Sequence, residues 1–403
     1  MNHDFFMSTQ AVGEHALKKK SCVSINEVGN AFTFHQGLPG YMPTPLVSLS
    51  ALANKIGVEQ IWLKDESKRF GLNAFKALGG SYAIAKYFCE KMNLELGENI
   101  FAELTSEKYR KEVQKFTFVT ATDGNHGRGV AWVAKLLGCP AWVYLPHGTR
   151  EERLQNILGL GAQAEITPWN YDDTVRYAND MAQQNGWVLV QDTALPGYEE
   201  IPKNIMKGYV TLACEIDQAL REGNCPKPTH LFLQAGVGSM AAAIAGYLAF
   251  LWQEECPKII VVEPTQADCL YRTAKAKDGK IHAVTGDMNS MMAGLCCGEP
   301  SPLAWDILKD LASAFISCDD FYSAEGMRIL AYPQKGDTAI VSGESGAVTT
   351  GVIAHLMQDE ELSGYRRELG LDEKSRILLI STEGDTDRDN YNKVLGEKPS
   401  QVW

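Results

Sequence analysis

Along most of the chain, short apolar runs alternate with longer amphipathic ones, and a glycine, a proline or an acid stands at nearly every junction. Residues 60–64, 116–122 (FTFVTAT), 141–146 (AWVYLP), 162–168, 187–192 (WVLVQD), 229–235 (THLFLQA), 258–264 (KIIVVEP) and the start of 376–387 (RILLISTEGDTD) are rich in β-branched and aromatic residues and predict strands. Between them, residues 48–57, 81–88, 131–138, 150–161, 171–186, 205–221, 240–252 and 342–357 carry helical spacing, several closed by a glycine. Residues 91–116, rich in Glu, Lys and Asn, predict an exposed helical excursion. Residues 1–45 are mixed and polar, and 274–302 form the least regular stretch, a loop by composition. Repeated β–α units of this kind predict parallel sheets with helices on both faces.

Composition narrows the field. The chain has 403 residues, 45% hydrophobic and 22% charged, enough for a sizeable core. Its net charge of −12 and the lack of a Lys/Arg-rich tract argue against a nucleic-acid partner. The longest apolar run, 240–252, falls short of the roughly 20 residues that cross a bilayer, so no membrane partner is expected. MNHDFFMSTQ has no basic stretch ahead of an apolar core, so no signal peptide and a cytoplasmic location are expected. Ten cysteines are scattered without a CxxC pair, which points away from zinc knuckles and thioredoxin-like sites. Cys269 and the Cys296–Cys297 pair flank the irregular loop, and a disulfide of Cys269 with either is the one pairing the sequence raises; a reducing compartment weighs against it.

Candidate chemistry gathers at the strand ends, where parallel α/β folds bind ligands. Lys76, in NAFKALGG, follows a strand and a charged turn and stands at the mouth of a helix between Phe75 and Leu78. Partial desolvation there would keep its amine neutral and nucleophilic; the plainer alternative is a surface lysine. Asp123-Gly124-Asn125-His126-Gly127 ends the strand 116–122, and its glycines let backbone approach a flat ligand, with His126 read as a packing residue. Gly236-Val237-Gly238-Ser239, between a strand and a helix, presents successive N–H groups suited to a single phosphate; it lacks the spacing of a nucleotide P-loop. Gly343-Glu344-Ser345-Gly346 and Ser381-Thr382-Glu383-Gly384-Asp385 set hydroxyls and acids beside glycines. Asp385, Asp387 and Asp389 match part of a calcium loop but lack its glycine and closing glutamate, so no metal is assigned.

A lysine, an asparagine turn, a phosphate nest and a C-terminal hydroxyl, in that order, resemble the fold-type-II pyridoxal-phosphate enzymes, a group that includes threonine and serine dehydratases, cysteine synthase and tryptophan synthase β. That group commonly has SxGNHG where this chain has an acid at 123. NAFKALGG, ATDGNHGRG, SGESGAV and STEGDTD together look like the diaminopropionate ammonia-lyases, across essentially the whole chain.

The resemblance implies an α/β fold of two open, twisted, mostly parallel sheets, with pyridoxal 5'-phosphate in the cleft between a large domain (1–88 and 200–403) and a small one (89–199). It implies a homodimer acting on a small amino acid. It casts Lys76 as the Schiff-base lysine and a base, and Asn125 as facing the cofactor's ring oxygen. It makes Gly236, Val237, Gly238 and Ser239 the phosphate turn, and Thr382 is chosen as the pyridine-nitrogen partner. Asp123 becomes a base on the face opposite Lys76. Asp192 becomes a second acid, for the β-ammonium of the substrate or for the charge state of Asp123; a cap is its plainer role. The nearest rival reading is a serine/threonine dehydratase.

Overall fold

Two sheets carry the molecule, and their strand order explains why distant segments meet. The computed structural model describes residues 3–7 and 25–396. The strands are β1 (His3–Met7), β2 (Leu46–Ser48), β3 (Gln60–Asp65), β4 (Phe118–Ala121), β5 (Ala141–Leu145), β6 (Gln163–Ile166), β7 (Val188–Leu189), β8 (His230–Gln234), β9 (Lys258–Pro264), β10 (Ala312–Cys318) and β11 (Arg376–Ser381). The larger sheet runs β1-β10-β9-β8-β11-β3-β2 and the smaller β6-β5-β4-β7. All the pairs are parallel except β1 with β10 and β2 with β3, at the two edges of the larger sheet. Antiparallel edge strands on a parallel centre fit the central runs, which are mostly apolar and buried on both faces, as in β8 and β4.

The smaller sheet is drawn wholly from residues 118–189, and the larger from both flanks. The helices that shape the cleft are α1 (Ala77–Met92), α2 (Asn125–Leu137), α3 (Glu200–Glu222), α4 (Ser239–Trp252) and α5 (Glu344–Gln358). Buried side chains from α1, α2, α3 and α4 share one apolar core, and α5 packs into a second on the other face of the larger sheet.

The sequence reading missed several elements. A helix at Ile25–Gln36 lies in the stretch read as mixed and polar, and Pro302–Leu311, β10 and Asp320–Ala331 fall in a span left unassigned. The excursion 91–116 holds only two short helices, Ile100–Thr105 and Arg110–Val113. The strand predicted at 187–192 pairs as a strand over Val188–Leu189 alone, because the chain then turns to deliver Asp192 to the cleft. Cys269, Cys296 and Cys297 are free thiols, so the disulfide considered above is not formed. The Cys269 thiol turns toward the Gly236 carbonyl, and the Cys296 thiol toward the carbonyls of Ser290 and Met292. Cys22 and half of the N-terminal segment examined for a leader lie outside the described residues. No helix among the described residues is long and apolar enough to cross a membrane.

Candidate active site

One cavity of about 600 Å³ lies where the ends of β4, β8 and β11 and the turn after β7 converge. The residues given catalytic or cofactor-binding roles above all line it: Lys76, Asp123, Asn125, Asp192, the turn from Gly236 to Ser239, and Thr382; of the other candidates Ser345 and Glu383 do, whereas Glu344, Asp385, Asp387 and Asp389 do not. Phe75, Tyr171, Gln234, Ser345 and Glu383 complete the polar and aromatic wall, and Gly294, Leu295 and Cys297 of the irregular loop close one side.

Lys76 is placed by backbone pairing rather than by its own side chain. Asn73 adopts a left-handed conformation, which asparagine tolerates, at φ 59°. Its carbonyl accepts from Gly384 N at 2.9 Å, and Phe75 N donates to Thr382 O at 3.2 Å. The segment is thus pinned to the end of β11, and Lys76 caps the start of α1. Its Nζ lies 2.6 Å from Asp192 Oδ2.

The expectation of a neutral amine is overturned here. Burial pulls the lysine down, but the Asp192 carboxylate, followed by Tyr209 and Asp123, raises it well above the ordinary value, so the amine is held charged. Burial likewise works against the Asp192 carboxylate, yet Lys76 and His126 carry it far below its usual range. Tyr171 Oη and Gln191 Nε2 each donate to Asp192 Oδ1 at 3.2 Å. Asp192 is therefore the partner of Lys76 and caps no helix.

Asp123 stands on a turn built by its neighbours. Thr122 Oγ1 accepts from the N–H groups of Gly124 and Gly127, each at 2.9 Å, and Gly124 turns the chain with φ +143°. This bend lets α2 start at Asn125 rather than near residue 131. His126 Nε2 donates to Val190 O at 2.7 Å, tying the start of α2 to the exit of β7, so this histidine packs as expected. Burial pushes the Asp123 carboxyl up, Arg153 and Lys76 pull it back, and Glu383 and Asp192 push it up again; it ends above its ordinary value. Arg153 Nη1 lies 3.4 Å from Asp123 Oδ2.

Asn125 donates through Nδ2 to Glu383 Oε2, and Ser345 N donates to Glu383 Oε1 at 3.0 Å. Gln234 Nε2 donates to Ser345 O, Ile380 O and Thr382 Oγ1 at 2.9, 2.8 and 3.1 Å, which fixes its amide orientation and leaves the Thr382 proton free to point elsewhere. The turn from Gly236 to Ser239 opens α4, with Gly238 at φ +93°, and Ser239 Oγ donates to Asp192 O at 2.7 Å.

Sequence reasoning missed Tyr171, Gln234 and Arg153. Gln234 was legible as a polar residue closing an apolar strand before the glycine turn; Tyr171 and Arg153 carry no local signal. Two of the three aspartates weighed as a calcium loop are otherwise engaged: Asp385 accepts from Asn73 Nδ2 at 2.9 Å, and Asp387 pairs with Arg150 at 2.7 Å. No group of three or more His, Cys, Asp or Glu among the described residues is placed to hold a metal.

The family model for pyridoxal-phosphate dependent enzymes matches residues 38–381. Diaminopropionate ammonia-lyase of Salmonella typhimurium is 52% identical over 363 residues, which is 90% of this chain and 90% of that protein. The crystal structure of diaminopropionate ammonia lyase from Escherichia coli in complex with an aminoacrylate-PLP azomethine reaction intermediate superposes with a TM-score of 0.88 at 46% identity, covering 98% and 97% of the two chains. The Escherichia coli enzyme in complex with D-serine gives 0.89 at 45% identity, covering 100% and 99%.

Proposed function

Since the chain belongs to the pyridoxal-phosphate-dependent enzymes and, within them, to the diaminopropionate ammonia-lyases, we propose that it eliminates the β-amine from both D- and L-2,3-diaminopropionate. With one water, the products are pyruvate and two ammonia.

The cavity suits the cofactor. Ser345 Oγ and Gln234 Oε1 are buried there without partners, and a Cβ on Gly236 would come within 3.0 Å of Cys297 Sγ and 3.2 Å of Leu295 Cα, filling the space beside the turn. Lys76 would hold the cofactor's aldehyde carbon, the N–H groups from Gly236 to Ser239 its phosphate, Asn125 its ring oxygen and Thr382 its pyridine nitrogen. When bound, pyridoxal 5'-phosphate supplies an electron sink for the α-carbon of the substrate. A hydroxyl at the pyridine nitrogen leaves that sink moderate, which is adequate for elimination.

The remaining steps fall to the protein. Asp192 orients the Lys76 nitrogen and stabilises the ammonium that forms when the neutral Lys76 amine takes the α-proton of one isomer. Asp123 stands outside the Lys76–Asp192 ion pair and is the base for the other isomer. Its carboxylate also attracts the β-ammonium and keeps it protonated, because an ammonium leaves far more readily than an amide anion. The loop 274–302 covers the cavity and excludes water.

The observation that carries this reading is the second acid in the cavity, Asp123, served by Arg153 while Lys76 is served by Asp192. The sheet drawn from residues 118–189 also supports a small domain at 89–199 beside a large one at 1–88 and 200–403. Pyruvate release is measured from D- and L-2,3-diaminopropionate, D- and L-serine and L-threonine, with wild type and Asp123→Asn. Turnover of both diamino isomers, with the variant losing mainly the D-isomer, is expected. Turnover of L-serine or L-threonine alone would make the protein a dehydratase.

A further inference from the structure

Asp123 lines a second chamber as well as the cofactor cavity. This chamber is walled by Arg150, Arg153, Asn289, Asp320 and Asp387. Arg153 is its buried cation, 5% exposed. Nη1 of that side chain donates to Asp123 O at 3.2 Å and to Oδ2 at 3.4 Å, so backbone and carboxylate are gripped together. The arginine stem lies on Gly124: a Cβ there would stand 3.2 Å from Arg153 Cδ and 3.4 Å from its Cβ and Cγ. The glycine that turns the chain at φ +143° therefore also seats the arginine.

We propose that Arg153 is the positioning residue that makes an acid workable at position 123: it holds the Asp123 carboxyl ionised and fixed in the cavity, and so governs turnover of the isomer that Asp123 serves. The inference rests on the reading of Asp123 given above.

Among the charges around Asp123, Arg153 lowers the carboxyl most, ahead of Lys76. Lys76 is committed to Asp192 at 2.6 Å. From the loop after β11 comes the carboxylate of Glu383, and across the chamber stand Arg150, Asp320 and Asp387, with Arg150 paired to Asp387. Tyr171, Tyr209, Cys296 and Cys297 also face this region, and burial pushes each upward, keeping it neutral. The Arg153 guanidinium feels Glu383, Asp123, Glu344 and Asp387 together. One buried cation thus offsets a set of carboxylates. Without it, Asp123 loses the charge that most lowers its carboxyl, which moves further above its ordinary value.

The test uses the cofactor-loaded enzyme and kcat/KM against pH for the D- and L-isomers. In Arg153→Gln the acid limb of the D-isomer profile is expected to move up by roughly one to three pH units, the effect of removing a neighbouring opposite charge, while the L-isomer limb stays. Arg153→Lys, which keeps the charge on a shorter reach, is expected to give a smaller shift in the same direction, and it decides the matter if the glutamine variant does not fold. A second readout needs no turnover: the protonated-carboxyl band in difference infrared spectra that is missing in Asp123→Asn should persist to higher pH in the Arg153 variants. In an Asp123→Asn background, Arg153→Gln should change D-isomer turnover by less than about twofold, because the two residues act as one unit. Arg153 variants that move both limbs equally, or neither, while Asp123→Asn still loses the D-isomer selectively, overturn the inference. If Asp123→Asn loses both isomers alike, the opposite-face reading of Asp123 fails instead, and the infrared titration still decides whether Arg153 controls that carboxyl.

Discussion

Two buried ionic clusters lie a short way apart in the chain and are built on opposite plans. In the first, Lys64 and Arg69 face Glu66 and Glu215, two cations against two carboxylates. Lys64 Nζ lies 2.6 Å from Glu215 Oε2, Arg69 Nη2 lies 2.7 Å from the same oxygen and 2.8 Å from Glu66 Oε1, and Arg69 Nε donates to Glu66 Oε2 at 2.9 Å. Tyr41 Oη adds a bond to Glu215 Oε1 at 2.8 Å. Burial works against Glu215, but the guanidinium and ammonium bring it down to about 2. This cluster fastens the segment at Thr44, strand β3 and helix α3 to one another, with charge balanced and donors matched to acceptors.

The second cluster is the candidate site. Lys76 and Arg153 stand among Asp123, Asp192, Glu344 and Glu383, so carboxylates outnumber cations. Glu344 Oε2, His126 Nδ1, Gln234 Oε1 and Ser345 Oγ are buried there without partners. A network left in that state costs stability, and the place where a protein tolerates such a cost is a binding site. The sign of the imbalance is also informative. A substrate with two ammonium groups is the kind of ligand that relieves an excess of carboxylate.

The contrast can be broken or sharpened by substitution, and the largest effect is expected at Lys76. Lys76→Arg keeps a cation against Asp192 but removes the primary amine. Pyruvate release should fall at least about 10³-fold with little change in the thermal midpoint; a large drop in that midpoint would place Lys76 with the structural cluster instead. Glu215→Gln should do the reverse. It leaves Lys64 and Arg69 facing one carboxylate, and urea unfolding should show a loss of about 3–5 kcal/mol, with kcat of the folded, cofactor-saturated enzyme retained.

Asp192→Asn comes next. Without its carboxylate partner, the Lys76 amine loses both its alignment and the charge that holds it protonated. A fall in kcat of about 10²-fold is expected, with the amine of the cofactor-free protein acylated at lower pH than in wild type. The smallest effect is expected at Glu344, which burial, with Glu383 adding to it, lifts from 4.5 to about 7. Between those values the folded protein keeps a proton that the unfolded chain has released. Stability on this account is fully present below about 4.5 and is lost as pH rises through about 7. Glu344→Gln should flatten that decline, by on the order of 1–3 kcal/mol, in denaturant titrations run at several pH values.

Strand runs such as KIIVVEP and RILLIS were legible because strands buried on both faces must be largely apolar. The chain itself also marked where chemistry would gather: Lys76 after a turn, Asp123 and Asn125 among glycines, the turn from Gly236 to Ser239, and Thr382 at a strand end all reach one cavity. These signals are local. Backbone conformation, turn chemistry and the apolar period are written in neighbouring residues.

The partners were not legible. Asp192 lies 116 residues from Lys76, and it decides that the amine is charged rather than neutral. Glu215 meets Lys64 across 151 residues, and Arg153 reaches Asp123 from a helix on the far side of β5. The fold closes these distances by strand order, placing β11 beside β3 and β8, and β7 beside β4. A charge acts through space, with a strength set by distance and burial, and neither is a property of spacing along the chain. The sequence by itself therefore determined which residue types stand at the strand ends. The tertiary structure alone decided which of them meet, and hence which are charged, which are neutral and which remain unsatisfied.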